Sequence, residues 1–314
     1  MANLSLQLKP VAPFRLDLTV WVLRRRAHNL MDRWDGATYR RVLLVRDRPT
    51  EVAVRQSGSA EAPELQIEAR GAVGKEAAEI LSATLKRILG LEIDLQDFYH
   101  FASRDQQLQS LVQDFRGIKP TRFPSLFEAL TNAIACQQIS LTVGIHVLNR
   151  LTQAYGLPFP GDAEPPVHAF PRPQDLAGLE PQGLRDRGFS YSKARTLIGL
   201  SQGLLDGSIS LDNLASLDDE EAVKILSRIK GIGRWSAEYA LLRGLGRIHL
   251  FPGDDVGARK RLEAWLNLKE ALDYQGVQRI MADFAPFGGL IYFHFLLKGL
   301  ATEGYLTGSE QQAK

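Results

Sequence analysis

Two hydrophobic periods divide this chain, and the place where one gives way to the other constrains its fold more than any other feature. Up to about residue 95 the pattern is mostly β-like. Residues 14–23 (FRLDLTVWVL) alternate, and short runs follow at 39–45, 51–56 and 64–69. Turn residues separate them: Trp34-Asp35-Gly36, Asp47-Arg48-Pro49 and Ser57-Gly58-Ser59. Residues 74–91 then read as a helix with Ala78, Ile80, Leu81, Leu85 and Ile88 on its apolar face. From Gln96 onward strand signals nearly vanish. Helices are predicted over 97–101, 106–115, 125–135, 141–155, 174–179, 192–205, 257–265, 277–284 and 290–300, and the runs 211–217 and 220–229, helix-like from 222, lead into the turn at 231–233. Ser125 with Glu128 fits a capping box. Residues 161–173 form a proline-rich loop, and the tail from Thr307 is expected to be disordered. The expected class is α+β: a small antiparallel sheet with a helix, followed by an all-α region.

Composition excludes several chemistries. Cys136 is the single cysteine among 314 residues, which rules out four-thiolate clusters, cysteine zinc fingers and an intrachain disulfide. That usage suits a reducing cytoplasm. The first ten residues, MANLSLQLKP, lack a basic-then-apolar leader pattern, and no run approaches the roughly 18 apolar residues of a membrane span. A net charge of +2 does not mark a nucleic-acid binder in bulk, so such a function must rest on local patches and main-chain contacts.

The chemistry-bearing stretch is residues 229–261, IKGIGRWSAEYALLRGLGRIHLFPGDDVGARKR. Gly231 and Gly233 flank one apolar residue between two helix-like runs. Glycine suits positive φ and close backbone approach, and a turn feeding a helix N-terminus aims free N–H groups at an anion. Helix–GIG–helix is thus a phosphate clamp or, equally, a plain helix–helix connection. The pair Asp254-Asp255 precedes a helix, where Asp is favourable as a cap. Trp235 and Tyr239, four apart, share a helical face.

In their order these motifs resemble the helix-hairpin-helix DNA glycosylases, within them the 3-methyladenine DNA glycosylase II type of bacteria. The resemblance runs over 123–300, with a fainter likeness in the N-terminal sheet. It is carried by AIACQQIS (133–140), by 181–200 with GFSYSKARTLIGL, by the hairpin at 229–242, and by LFPGDD (250–255). It implies a two-lobed HhH-GPD core: 96–122 with 249–314 as one lobe, 123–248 as the hairpin lobe, and 1–95 as a separate sheet domain. It also implies double-stranded DNA with a damaged base as the partner, a monomer at the cytoplasmic nucleoid, and no catalytic metal or organic cofactor. A monovalent cation against the hairpin carbonyls belongs to the same pattern.

The resemblance implies roles residue by residue. Asp255 is the catalytic carboxylate, which stabilises positive charge on the sugar as the base departs; Asp254 caps or supports. Trp235 stands where relatives that also cut the backbone carry a Schiff-base lysine, so a hydrolase without lyase activity is expected. Trp235 and Tyr239 form the aromatic wall for the flipped base. Gly231, Gly233 and Arg234 hold a phosphate. The loop Gln137, Gln138, Ile139 and Ser140 enters the minor groove, with the wedge at Gln138 or Ile139. Lys230, Arg243, Arg247, Arg259, Lys260 and Arg261 could add phosphate contacts.

The chain also departs from the pattern. Gly288 takes the place of an arginine, and Leu296 that of a pocket aromatic, which suggests a more open pocket. Trp21 and Val22 fall near a position that reaches the base pocket in some relatives. Arg24-Arg25-Arg26 reads as a solvated basic face. The expected function is a monofunctional N-glycosylase for 3-methyladenine- and 7-methylguanine-type purines in base excision repair. The alternatives are a glycosylase for oxidised or deaminated purines and a non-catalytic hairpin protein that binds damaged DNA.

Overall fold

The computed structural model describes residues 3–161 and 166–306; the tail from Thr307 lies outside the described residues. The N-terminal part is a five-stranded antiparallel sheet, β1 (Asn3–Leu8), β2 (Arg33–Trp34), β3 (Thr38–Val45), β4 (Arg48–Ser57) and β5 (Glu64–Arg70), in the order β1-β5-β4-β3-β2. β3 and β4 are joined at Arg46-Asp47. Both residues have positive φ, 51° and 59°, the geometry of a tight hairpin turn whose twist matches the strands. β1 is a strand that the reading above does not include, although Leu4, Leu6 and Leu8 alternate through it. One face of the sheet is closed by α2 (Lys75–Leu89), which buries Ala77, Leu81, Leu85 and Ile88.

One expected strand is a helix. The alternating run 14–23 forms α1 (Leu16–Arg24). The reason is burial on two sides. Leu16, Val20 and Leu23 pack into the core of the sheet, while Leu18 and Val22 pack into a second, helical core. With apolar residues needed on both faces, the sequence loses the 3.6-residue signature and mimics a period of two.

The remainder is helical: α3 (Gln96–Ala102), α4 (Gln106–Asp114), α5 (Leu126–Cys136), α6 (Leu141–Tyr155), α7 (Pro173–Leu176), α8 (Pro181–Arg185), α9 (Tyr191–Asp206), α10 (Asp219–Ser227), α11 (Arg234–Ala240), α12 (Val256–Trp265), α13 (Tyr274–Ala282) and α14 (Gly288–Thr302). A 3-10 turn spans Asp212–Ser216, and a π-helical segment, Leu241–Leu245, continues α11. One buried cluster gathers α5, α6, α9 and α11; another gathers α3, α4, α12, α13 and α14. Ser125 caps α5 through the Glu128 N–H, but the expected capping box is half made. The Glu128 carboxylate turns instead to Arg41 of β3, which also binds Asp32. All three side chains are buried, so this ion network ties the sheet to the helical part. Among the described residues no helix is long and apolar enough to cross a membrane.

Candidate active site

The hairpin begins where α10 ends. Gly231 has φ 89°, and a Cβ there would stand 2.0 Å from Thr196 Oγ1 on α9, so both conformation and packing demand glycine. Gly233 is different: it caps α11 with an ordinary φ of −97°, and its added Cβ would meet nothing within 4 Å. The turn therefore has a tight inner glycine and an open outer one, so no side chain crowds the start of α11 at Gly233. The Gly231 carbonyl accepts from Gln137 Nε2 at 2.9 Å, and that of Ile229 from the Ile232 N–H. Each oxygen keeps a second lone pair, and these are the carbonyls that the monovalent cation implied by the resemblance would meet.

The loop before α6 is tied to this hairpin. Gln137 also donates to Ser236 Oγ, and Lys193 of α9 donates to the Ala135 and Gln137 carbonyls at 3.0 and 2.6 Å. Ser140 is the N-cap of α6. Gln137 and Ser140 are thus engaged within the protein. Gln138, in the left-handed region at φ 54°, and Ile139 are the exposed tip.

Asp255 sits at the N-terminus of α12 with all its bonds defined. Oδ1 accepts from the Ala258 N–H at 2.9 Å. Oδ2 accepts from Trp235 Nε1 at 3.2 Å and from the Tyr292 hydroxyl at 3.1 Å. This corrects the division of labour expected for the aspartates, because the cap is Asp255 itself. Asp254 instead accepts from Arg234 Nε at 2.8 Å. The Arg234 guanidinium lies 3.5 Å from the ring centroid of Tyr274, whose hydroxyl donates to Glu238 Oε1 at 2.7 Å. Burial raises the Glu238 carboxyl to about 7, and Tyr274 pulls it back only in part. The Tyr274 ring also packs on Gly253, so this chain of contacts braces the segment leading to Asp255.

Trp235 is half-buried and Tyr239 buried, with ring centroids 5.6 Å apart. Burial holds the Tyr239 phenol above its usual range, against the pull of Arg25, and burial with Asp255 holds the Tyr292 phenol well above it. Both hydroxyls therefore keep their protons. Arg25 Nη1 donates to the Tyr239 oxygen at 2.9 Å, and Nη2 donates to Asn132 Oδ1.

Side chains from α5, α11, α12 and α14 thus meet around Trp235, Tyr239 and Asp255, and comparison with known proteins gives the family. Residues 131–286 match the model for the HhH-GPD superfamily of base excision DNA repair proteins, and residues 20–130 match that for the 8-oxoguanine DNA glycosylase N-terminal domain. A Bacillus subtilis (strain 168) protein named "Putative DNA-3-methyladenine glycosylase YfjP" is 30% identical over 219 residues, covering 70% of this chain and 72% of that one. The chain belongs to the HhH-GPD superfamily. A DNA-3-methyladenine glycosylase of the same organism is 32% identical over 167 residues, covering 53% of this chain and 55% of its own length. In structure, the 3-methyladenine DNA glycosylase of Archaeoglobus fulgidus superposes with a TM-score of 0.81 at 24% identity, covering 96% of this chain and 99% of that one.

In this HhH-GPD protein several expectations drawn from sequence change. Arg24 and Arg25 are buried rather than solvated, and Arg26 pairs with Glu303 at 3.3 Å. Arg243 is also buried, donating to the Val22 carbonyl, and Arg247 is taken up by Asp219 and the Leu214 and Leu217 carbonyls. Neither arginine is free for a phosphate. Trp21 packs against Tyr305 and the Arg24 guanidinium. Gly288 does not open a pocket: a Cβ there would come within 2.9 Å of the His249 carbonyl, so glycine lets α14 close onto that segment. Leu296 packs beside the α3–α14 core. Tyr292, Arg25, Asn132 and Glu238 are the site residues the sequence reading missed. A polar residue inside an apolar helix was the only signal that Tyr292 and Asn132 offered.

Proposed function

We propose that this protein is a monofunctional DNA N-glycosylase that removes alkylated purines of the 3-methyladenine and 7-methylguanine type during base excision repair. The observation that carries this reading is the Asp255 carboxylate, oriented by Trp235 Nε1 and the Tyr292 hydroxyl beside the Trp235–Tyr239 aromatic pair. The names of its relatives supply the alkylpurine class.

In this reading the amides after Gly231 and Gly233, at the start of Arg234, anchor a phosphate of double-stranded DNA. Gln138 and Ile139 fill the gap left by the flipped nucleotide, with Gln137 and Ser140 holding their loop. The base stacks on Trp235 and Tyr239. As the C1′–N bond lengthens, the sugar gains positive charge, and Asp255 stabilises it and guides the attacking water. Trp235 and Tyr292 aim the carboxylate without neutralising it, because each donates a hydrogen bond and keeps its proton. An indole at position 235 cannot form a Schiff base, so strand cleavage is not part of the reaction.

The match of residues 20–130 to an 8-oxoguanine glycosylase domain favours oxidised purines as the second reading. Methylated and 8-oxoguanine-containing duplexes, assayed side by side for released base, distinguish the two. Asp255→Asn is expected to abolish release while duplex binding persists; near-normal turnover would overturn the role of Asp255. An adduct trapped by borohydride would overturn the monofunctional reading.

A further inference from the structure

α9 touches both the hairpin and the loop between α5 and α6. Lys193 and Thr196 stand three residues apart on it, and so share a face. Lys193 is half-buried, and its ammonium donates to the Ala135 and Gln137 carbonyls at 3.0 and 2.6 Å. Thr196 is buried, and its Oγ1 lies where a side chain on Gly231 of the hairpin would stand. Gln137 joins the two parts directly. Its carbonyl takes Lys193, while its Nε2 donates to the Gly231 carbonyl and to Ser236 Oγ, each at 2.9 Å.

These contacts leave little freedom between α5 and α6. The loop from Cys136 to Leu141 is short, Gln137 is held by main chain and side chain alike, and Ser140 caps α6. What remains is Gln138 and Ile139, both exposed. Gln138 has φ 54°. A residue other than glycine in the left-handed region costs about 1–3 kcal/mol and persists only where its surroundings over-determine it. Lys193 is the charged member of those surroundings. The last carbonyls of α5 have no partner within the helix, and an ammonium bonds them more strongly than a neutral donor would. A plain helix cap accounts for the bond to Ala135. The shorter bond goes to Gln137, one residue before the strained tip.

Extruding a paired base costs a few kcal/mol of pairing and stacking. A tip that enters the stack offsets part of that cost, and offsets more of it when the tip is already ordered. We propose that Lys193 is a positioning residue that holds the wedge tip, Gln138 and Ile139, in fixed register with the hairpin, so that a base still paired in the duplex can be displaced. The proposal rests on the glycosylase reading and deepens its account of how the duplex is opened. Lys193 acts at one remove: the tip meets the DNA, and Lys193 sets where the tip stands.

The test compares two duplexes carrying 2′-fluoro-7-methylguanosine, which resists cleavage. In one the lesion is paired with cytosine; in the other it faces a tetrahydrofuran abasic analogue, so no pair has to be broken. Lys193→Met, which removes the ammonium and keeps the chain length, is expected to weaken binding of the paired duplex by about tenfold and to leave the other nearly unchanged. Lys193→Arg should restore the ratio. Lys193→Gln, a donor without charge, should fall between, and it decides the matter where Lys193→Met does not fold. An equal loss on both duplexes, as from a merely structural cap, overturns the proposal, and so does an unchanged ratio. Base release from the cleavable 7-methylguanine duplex by the unaltered chain is scored separately. Its absence would sink the glycosylase reading while the binding ratio still decides the role of Lys193.

Discussion

Asp255 does two jobs with two oxygens. One closes the first turn of α12, and the other receives Trp235 and Tyr292. The cap fixes the carboxylate's position, and the two donors fix its rotation. Removing one donor should therefore cost rate more than stability. Tyr292→Phe deletes a single hydrogen bond to a charged group, worth about 1.5–3 kcal/mol. A fall of about ten- to a hundredfold in the single-turnover rate of base release is expected, with KM little changed. At this scale the sequence was half legible. Asp255, Trp235 and Tyr239 lie within 21 positions of one another, in a motif. Tyr292 and Arg25 reach the same place from α14 and α1, and nothing local to either position announces where the fold will carry it.

The hairpin shows how an element can hold two glycines for different reasons. Gly231→Ala must accept a positive φ and a clash with Thr196, and we expect it to lose at least about 2 kcal/mol of stability in urea denaturation. Gly233→Ala meets open space at an ordinary φ. Its cost should be limited to the weaker N-cap, about 1 kcal/mol, and a duplex-binding assay should show its effect instead. The helix boundaries here were readable because caps and turns are local chemistry: Ser140, Asp218 and Asp255 each cap the helix that follows. The strand expected at 14–23 was not, because α1 is sandwiched between two cores and its pattern answers to both.

At the scale of the whole molecule, two buried titrating groups oppose each other. Glu238 is raised to about 7, so the folded protein binds its proton where the unfolded chain, with a usual value of 4.5, has released it. Stability is lost as pH rises through that interval. His294 is lowered by burial to about 4 from 6.5, so there the unfolded chain binds the extra proton and stability is gained as pH rises. Each effect amounts to about 3 kcal/mol over its full range. Between roughly pH 4.5 and 6.5 the two cancel. Glu238→Gln removes one, and its stability is then expected to climb by about 1.4 kcal/mol per pH unit through that window, whereas the unaltered chain stays flatter. Denaturant midpoints at several pH values check this. Arg41 gives a second test: Arg41→Met strands Asp32 and Glu128 in the interior, and a loss of about 3–5 kcal/mol is expected.

The buried contact between Arg25 and Tyr239 also bears on how small this molecule can be made. The helix that supplies Arg25 follows the first strand of the sheet, and Arg41 bolts the same sheet to α5. A trimmed form starting near residue 96 would keep the hairpin and both aspartates. It would nevertheless leave the Tyr239 hydroxyl without Arg25 behind it and a lone acid, Glu128, laid open where the sheet had been. The small domain at the front of the chain is thus part of what holds Tyr239 and α5 in place, and engineering that treats it as a detachable accessory would rebuild the proposed site by accident.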